Sequence, residues 1–586
     1  MFISKIYKPA VIFGLGIWVM TLFSCSLFFS GRDGGAVGEQ TDTSERKGHS
    51  SVYENKKSPE AYNYYLRASL ALNSGNYGEA LEYLYEAIER DPESCYLRVK
   101  TARILKEMKR YEEALPHALK CQSLEPSNVE AKVLVADIYA LTGKDELAIK
   151  QYEEIAALQP ENERARLLLA TILIRKNRYE EALKHLNNLI EQDPKLVIAH
   201  YYRGRINLEK ENFKKAEADF LETLKLNGSM EPALFDLGSL YQITDREDEA
   251  IKVYEKLLIF YPENNAARER LADIYLKEGL KEQAEEQIEL IKKNSMPGEP
   301  ERQNLGLIFF KHGRLDESID ELKMIVSAWP EDDKSRYYLA VAYERKENFD
   351  EALEHFSLIK KGSKYYLNAQ IHMAYILEAQ QKYEQAIALI EDVIKLKGGT
   401  ADLYLVLASF YETVENYEKA IETIKRGLEL HEKNKELMFR LGVLFDKSGN
   451  KPACIDQMRK LLSLDPNHAE ALNYIGYTYA EQGVNLDEAM ELIKKALSLK
   501  PDSGYIIDSL GWVYFQKGNY EQALYYLGRA VELTPDDPTI NEHMGDVYFR
   551  KKEYERALEM YNKSLMLGHP EEEKIKKKIS ETQKFM

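Results

Sequence analysis

A period of 34 residues constrains the fold more than any other feature of this sequence. From Ala61 onward the chain divides into fifteen units, all of 34 residues except the thirteenth, which has 35. A unit of this length cannot bury its own apolar face, so consecutive units must stack. The period therefore predicts one repeat array rather than the three or four globular domains that 586 residues would otherwise suggest. The units, here called repeats 1 to 15, begin at Ala61, Cys95, Val129, Glu163, Val197, Glu231, Asn265, Glu299, Asp333, Leu367, Ala401, Lys435, Ala469, Gly504 and Pro538.

The eighth position of every repeat holds a small residue. Such a column predicts two helices per repeat that cross closely there, because a larger side chain would force them apart. The facing position is alanine in thirteen repeats, Ser318 in repeat 8 and Cys454 in repeat 12. The extra residue of repeat 13 falls in a predicted turn at 483–485, where insertion is tolerated. The eighth-position residues are Ala68, Ala102, Ala136, Ala170, Gly204, Gly238, Ala272, Gly306, Ala340, Ala374, Ala408, Gly442, Gly476, Gly511 and Gly545.

Repeat 14, residues 504–537, shows the pattern most clearly. It predicts two amphipathic helices joined by a turn at 517–519 and ended by Pro535. Its Leu510, Gly511, Tyr514 and Ala523 stand at the spacing of a tetratricopeptide repeat (TPR), which the unit resembles. The resemblance implies an all-α fold: a right-handed superhelical α-solenoid of about fifteen TPR helix-turn-helix repeats. We expect repeats 1–7 at 59–298, repeats 8–15 at 299–570 and a capping helix at 571–586, with a change of pitch at 294–300.

The N-terminus resembles a bacterial lipoprotein signal. Lys5 and Lys8 precede an apolar run, and Leu22 and Ser24 stand three residues and one residue before Cys25. The resemblance implies a signal peptide at 1–24, lipidation of Cys25 and a flexible, Gly- and Ser-rich tether at 25–58. The alternative is an uncleaved anchor, because residues 10–29 form an uncharged stretch long enough to span a bilayer. Both interpretations place the array beyond the inner membrane.

Composition and motifs argue against nucleic-acid binding and against catalysis. The formal net charge is −17, whereas binding of phosphates needs a basic stripe. The sequence has no phosphate-binding loop and no motif of a metalloprotease or serine hydrolase. We therefore expect no enzymatic activity, no cofactor, no metal and no small-molecule substrate. Cys121 and Cys454 are interpreted as small buried packing residues, and a disulfide between Cys95 and Cys121 is the less favoured alternative.

The predicted groove is lined by the second, fifth, ninth and twelfth residues of each first helix. Its fifth positions hold no lysine and its ninth positions no asparagine, so the carboxylate-clamp pattern of many TPR domains is missing. The twelfth positions of repeats 9 to 12 instead form an acidic ladder, with large apolar residues beside it. We hypothesise that an extended or helical polypeptide binds there, the alternative being a solvated ladder and aromatics that pack between repeats. The predicted protein-binding residues are Phe310, Glu344, Tyr375, Glu378, Glu412, Phe439, Asp446, Tyr477, Trp512, Phe515 and Phe549.

The last three repeats, from ALNYIGYTYAEQGVNLDEAMELIKKALSLKP to INEHMGDVYFRKKEYERALEMY, resemble the C-terminal part of bacterial TPR lipoproteins of the periplasm and outer membrane. Some of these are adaptors that bring an envelope protease to its substrates. The resemblance implies a membrane-tethered periplasmic scaffold that binds proteins or peptides of the cell envelope. The alternative is an assembly factor for a pilus or an exopolysaccharide export machine. Ser26, in place of an aspartate, favours the outer over the inner membrane.

Overall fold

The computed structural model describes residues 58–586, and every regular element in that range is an α-helix. The all-α prediction is confirmed. The chain divides into two compact units, one ending at Ala165 and one comprising Arg166 to Met586. The helices are α1 (Pro59–Asn73), α2 (Tyr77–Arg90), α3 (Cys95–Glu107), α4 (Tyr111–Leu124), α5 (Val129–Leu141), α6 (Asp145–Leu158), α7 (Glu163–Arg175), α8 (Tyr179–Gln192), α9 (Val197–Glu209), α10 (Phe213–Leu226), α11 (Glu231–Ile243), α12 (Glu247–Phe260), α13 (Asn265–Lys277), α14 (Lys281–Asn294), α15 (Arg302–Lys311), α16 (Leu315–Ala328), α17 (Asp333–Arg345), α18 (Phe349–Ser357), α19 (Tyr366–Ala379), α20 (Tyr383–Lys397), α21 (Ala401–Thr413), α22 (Tyr417–Leu430), α23 (Lys435–Lys447), α24 (Lys451–Leu464), α25 (Ala469–Gln482), α26 (Leu486–Leu499), α27 (Gly504–Gln516), α28 (Tyr520–Leu533), α29 (Pro538–Arg550), α30 (Tyr554–Met566) and α31 (Glu572–Gln583).

Each repeat is a helical hairpin, with an odd-numbered first helix and an even-numbered second helix. The eighth position lies where the two helices approach most closely, as predicted. At Gly238 an added Cβ would come within 2.6 Å of the Tyr254 ring, and at Gly545 within 2.5 Å of the Tyr561 ring. In these two repeats glycine lets the tyrosine ring lie against the first helix, because a side chain at the eighth position would overlap the ring as it is placed.

The turns between first and second helices follow the sequence prediction. In repeat 14, α27 ends at Gln516 and α28 begins at Tyr520, with Gly518 at φ 78°. This left-handed conformation suits glycine. In repeat 13 the turn is longer, and both Gly483 and Asn485 have positive φ. The additional residue therefore lengthens the connection without disturbing the hairpin.

The first unit contains a disulfide between Cys95 and Cys121, whose Cα atoms are 4.7 Å apart. The preferred interpretation of Cys121 as a free packing residue was therefore wrong. Both cysteines are buried, and the bond joins α3 to α4 within repeat 2. The sequence favoured the wrong interpretation because it does not show how closely these helices bring the two sulfur atoms together. Cys454, in contrast, is free and buried, as predicted.

The second unit ends in α31, where the sequence predicts a capping helix. Its Ile575 is fully buried and packs with Tyr561, while Phe585 stacks on Tyr554 with ring centroids 5.3 Å apart. The opposite face of α31 is charged, as a terminal repeat requires for solubility. The predicted division between residues 298 and 299, and the change of pitch at 294–300, stay predictions.

The N-terminal predictions concern residues that the structure does not describe. The signal peptide at 1–24, the lipidation site Cys25 and the whole tether except Ser58 lie outside the described range. Among residues 58–586, no helix has both the length and the apolar character needed to cross a bilayer.

Candidate protein-binding surface

The predicted binding residues lie on one face of the second unit, which we call the first-helix face. It consists of the second, fifth, ninth and twelfth positions of repeats 5 to 15, counted from the first residue of each repeat. Successive first helices contact each other directly, as α13 contacts α15 and α27 contacts α29. All eleven predicted binding residues lie on this face and are half-buried. Their side chains are therefore available both to neighbouring repeats and to a partner.

The acidic ladder begins with two carboxylates that bond to the next first helix. Glu344 on α17 accepts from His372 on α19, with Oε2 2.7 Å from Nδ1. Glu378 on α19 accepts from the Thr413 hydroxyl on α21 at 3.1 Å. Each carboxylate therefore connects its repeat to the following one.

The remaining two carboxylates continue the same pattern. Glu412 on α21 forms ion pairs with Arg440 and Lys447 on α23. Asp446 on α23 accepts from the Tyr474 hydroxyl on α25 at 2.7 Å. The ladder is thus a series of contacts between repeats, and whether a partner also binds to it stays a prediction.

The aromatic residues in the middle of the first-helix face also contact neighbouring first helices. Phe310 packs edge-on against Tyr338, with centroids 5.4 Å apart, and the Arg345 guanidinium lies 4.2 Å from its ring centroid. Tyr375 packs edge-on against Phe410 at 5.6 Å. These rings contribute to stacking of the repeats while remaining half-exposed.

Two further aromatic residues follow toward the C-terminus. Phe439 stacks on His468 with centroids 5.4 Å apart. Phe549 packs edge-on against Tyr554 and Phe585, at 5.6 and 5.8 Å. These two rings therefore contact residues of their own repeats and, for Phe549, the C-terminal segment that follows repeat 15.

Trp512 is the centre of an aromatic stack in repeats 14 and 15. Its ring lies 4.6 Å from Phe515 and 4.1 Å from His543, both in stacked geometry. The indole Nε1 is buried and has no hydrogen-bond partner within the described part of the chain. A buried donor without a partner is costly, so this nitrogen is an unsatisfied polar group within the stack.

The imidazole beneath Trp512 is held by a carboxylate. His543 Nδ1 lies 2.8 Å from Asp508 Oδ1, and both side chains are buried. Burial opposes the charged imidazolium, but the Asp508 carboxylate outweighs it, so the pKa of His543 is raised. Tyr477 lies on the other side, with its ring centroid 6.3 Å from that of His543, and burial raises its pKa. The Asp508–His543 pair fixes the ring on which Trp512 stacks.

The sequence-based prediction of the site lacked three carboxylates at fifth positions of the first-helix face, Glu269, Asp508 and Glu542. The absence of lysine there excluded a carboxylate clamp but did not single out an acid, although a glutamate among mostly apolar neighbours was visible in the sequence. Asn304 Nδ2 donates to Glu269 at 3.0 Å, whereas Glu542 is bonded to Lys578 at 2.7 Å and His569 at 2.8 Å. Glu269 and Glu542 are therefore the same type of side chain at the same repeat position, but they bond to different partners.

The similarity to known proteins concerns the repeat sequence and the fold, and it identifies no ligand. A TPR repeat-containing protein of Pseudomonas aeruginosa is 45% identical over 53 residues, which is 9% of this chain and 9% of that protein. The match spans less than a tenth of that relative's length. The crystal structure of yeast Tom70 is 16% identical and covers 79% of this chain and 96% of that chain, with a TM-score of 0.36. The crystal structure of the APC/C hetero-tetramer Cut9-Hcn1 is also 16% identical and covers 82% of this chain and 95% of that chain, with a TM-score of 0.36.

Family models described as tetratricopeptide repeat or TPR repeat match most of the array. One matches residues 99–163, 235–298, 304–365 and 439–504, and others match 61–94, 143–206, 401–434, 511–552 and 539–567. These segments follow the 34-residue period and the helical hairpins described above. Together they cover well over half of the sequence, and the chain belongs to the tetratricopeptide-repeat family.

Proposed function

We propose that this protein is a membrane-tethered scaffold of the cell envelope that binds protein segments along the first-helix face and catalyses no reaction. The observation that carries the proposal is the Trp512 stack, because it combines a half-exposed aromatic surface with a buried, unpartnered indole donor. Aromatic anchors such as tryptophan are typical of surfaces where an extended or helical peptide binds. TPR scaffolds in general bind other proteins or peptides.

The proposed role within the envelope is that of an adaptor for a protease or its substrates. The test is affinity capture of the full-length protein from detergent-solubilised envelope, with identification by mass spectrometry. Co-purification of a protease with its substrates is expected, and the Trp512→Ala variant should capture less of them. Recovery of pilus or exopolysaccharide-export subunits instead would favour the alternative assembly role.

The Cys95–Cys121 disulfide supports a location outside the cytoplasm, since structural disulfides persist in oxidising compartments. The proposal places the array in the periplasm. A thiol reagent added to denatured protein under trapping conditions should label Cys95 and Cys121 only after reduction. Labelling of both without reduction would contradict the proposed compartment, and Cys454 provides the internal control because it reacts on denaturation in either case.

The proposed anchor is a lipid on Cys25, with the outer membrane favoured over the inner. Metabolic labelling with palmitate should mark the wild-type protein, and Cys25→Ala should lose the label. If the variant stays in the membrane fraction and keeps its full length, the chain has an uncleaved anchor instead. Density separation of the two membranes then tests which one holds the protein.

A further inference from the structure

The fifth positions of the first-helix face differ in charge along the second unit. From repeat 5 to repeat 12 they are aromatic, aliphatic or amide residues except in repeat 7, where the residue is Glu269. Repeats 14 and 15 have Asp508 and Glu542 at this position. Carboxylates in such half-buried or buried sites are stable only when hydrogen-bonded or paired with a cation. Each of these three acids therefore either has a cationic partner within the protein or lacks one.

Asp508 and Glu542 have their cations within the protein. Asp508 is 2.8 Å from His543, and Glu542 lies 2.7 Å from Lys578 and 2.8 Å from His569. Burial favours the neutral form of Glu542, but the charges of the surrounding lysines prevail and lower its pKa to about 2. These two carboxylates are complete without a ligand.

Glu269 has one neutral partner and no ion pair. Asn304 Nδ2 donates to Oε2 at 3.0 Å, and no Lys, Arg or His nitrogen in residues 58–586 lies within 4.0 Å of its carboxylate. The two cations that act on this carboxylate, Arg270 and Lys334, have other contacts. The Arg270 guanidinium lies 5.9 Å from the Phe235 ring centroid, and Lys334 Nζ donates to Gln303 at 3.3 Å.

The electrostatics of the site agree with this geometry. Burial raises the pKa of Glu269 to about 7, and the carboxylate of Glu301 adds to the effect. Asn304, Arg270 and Lys334 oppose it without restoring the ordinary value. Arg270 lies on the same helix as Glu269, and Lys334 lies on α17. Asn304 lies on α15, and Glu301 immediately precedes that helix.

We propose that Glu269 is the recognition site for a cationic group, a lysine or arginine side chain, in the polypeptide that binds to the first-helix face. The inference rests on the proposed function, since it assigns the chemistry of one position in that site. A cation brought by the partner would supply the charge that Lys578 supplies to Glu542. The adjoining fifth positions, Phe235 and Gln303, offer an apolar and a polar neighbour for the residues on either side of the cation.

Binding of a cation to Glu269 must release a proton near neutral pH, because the cation favours the ionised carboxylate. Affinity should therefore rise as pH increases through about 7, by about tenfold between pH 6 and pH 8 for a single group of this pKa. Peptides that bind without contacting Glu269 should not show this dependence.

The test uses a phage-displayed library of random peptides, selected on the full-length protein in detergent. Wild type should enrich peptides with a lysine or arginine at a fixed position. Glu269→Gln should weaken those peptides at least tenfold and abolish the preference, and replacing the basic residue by norleucine should weaken wild type equally. Glu542→Gln is the matched control: it changes the same position of repeat 15, where the carboxylate is internally paired, and should retain the preference. Circular dichroism of each variant confirms that it is folded.

The outcomes separate the two claims. Enriched peptides that lack a basic residue, or that bind wild type and Glu269→Gln equally, would overturn the inference and leave the proposed function intact. Affinity that falls between pH 6 and pH 8 would also overturn it. Recovery of no binding peptide by wild type would contradict the proposed function and the inference together.

Discussion

Glu269 and Glu542 occupy the same position of repeats 7 and 15, yet they behave oppositely. Glu542 on α29 faces the capping helix α31, whose Lys578 is 2.7 Å away, and its pKa is lowered to about 2. Glu269 on α13 faces α15, which offers only the neutral side chain of Asn304, and its pKa is raised to about 7. The comparison teaches that a carboxylate in this column stabilises the array only where the fold also supplies a cation.

Removal of the Glu542 charge should have the largest effect on stability. Glu542→Gln removes the carboxylate that His569 contacts and one of the two carboxylates paired with Lys578, which keeps Asp546, and we expect a loss of about 3 kcal/mol in the free energy of opening the last repeats. Hydrogen exchange of α29 to α31 measures this locally, because repeat arrays open in parts. Unchanged exchange in α29 to α31 would show that Glu542 does not stabilise the last repeats.

The ion pair between Glu542 and Lys578 should make the C-terminal repeats sensitive to acid. The folded-state pKa of Glu542 is depressed, so its stabilisation is complete above the unfolded value of about 4.3 and is lost as pH falls toward about 2. Exchange of α29 to α31 should accelerate over this window in wild type and much less in Glu542→Gln.

Trp512 lies in repeat 14, next to the repeat that contains Glu542. Its truncation should have the next largest effect on stability. Trp512→Ala removes a ring that is stacked on both Phe515 and His543, which should cost about 2 kcal/mol for a half-buried aromatic. Trp512→Phe keeps a ring on His543 and serves as the control, with less than about 1 kcal/mol expected. Lost partner capture in both variants, with unchanged hydrogen exchange of α27, would instead assign the indole to docking alone.

Glu269→Gln should stabilise the protein, whereas Glu542→Gln should destabilise it. The folded-state pKa is raised, so wild type loses stability as pH rises from about 4.3 to about 7, and the variant should not. After allowance for the half-exposed site we expect a gain of about 1 kcal/mol at pH 8 and little at pH 4. Hydrogen exchange of α13 and α15 at the two pH values measures it. A loss of stability at pH 8 would mean that Glu269 already has a cation.

The smallest effect is expected in the acidic ladder at Glu378. Its partner is the neutral Thr413 hydroxyl, so Glu378→Gln should change local stability by about 0.5 kcal/mol or less. Glu378→Lys should nevertheless weaken capture of the partner if the ladder binds it. Glu412→Lys is a poorer test, because it places a third cation beside Arg440 and Lys447. Unaltered capture by Glu378→Lys, measured by pull-down, would contradict a binding role for this rung.

Much of the fold and part of the site could be predicted from the sequence. The small residues at the eighth position identified the helix crossings, and the positions of the ladder residues on one face were predicted from the period. Their partners could not be predicted, since Glu412 bonds to residues 28 and 35 positions later. The offset between stacked repeats decides which of many nearby side chains such a carboxylate meets.

The sequence alone therefore determined the repeat, the helical hairpins and the column in which each residue lies, because these depend on local periodicity and side-chain size. The tertiary structure decided which charges are paired. Glu269 and Glu542 are both glutamates at the same repeat position, and the next helix along the array approaches each of them. The packing of that helix brings the neutral amide of Asn304 to Glu269 and the ammonium group of Lys578 to Glu542. Cys95 and Cys121 follow the same rule, because the disulfide required α3 and α4 to bring both sulfur atoms together.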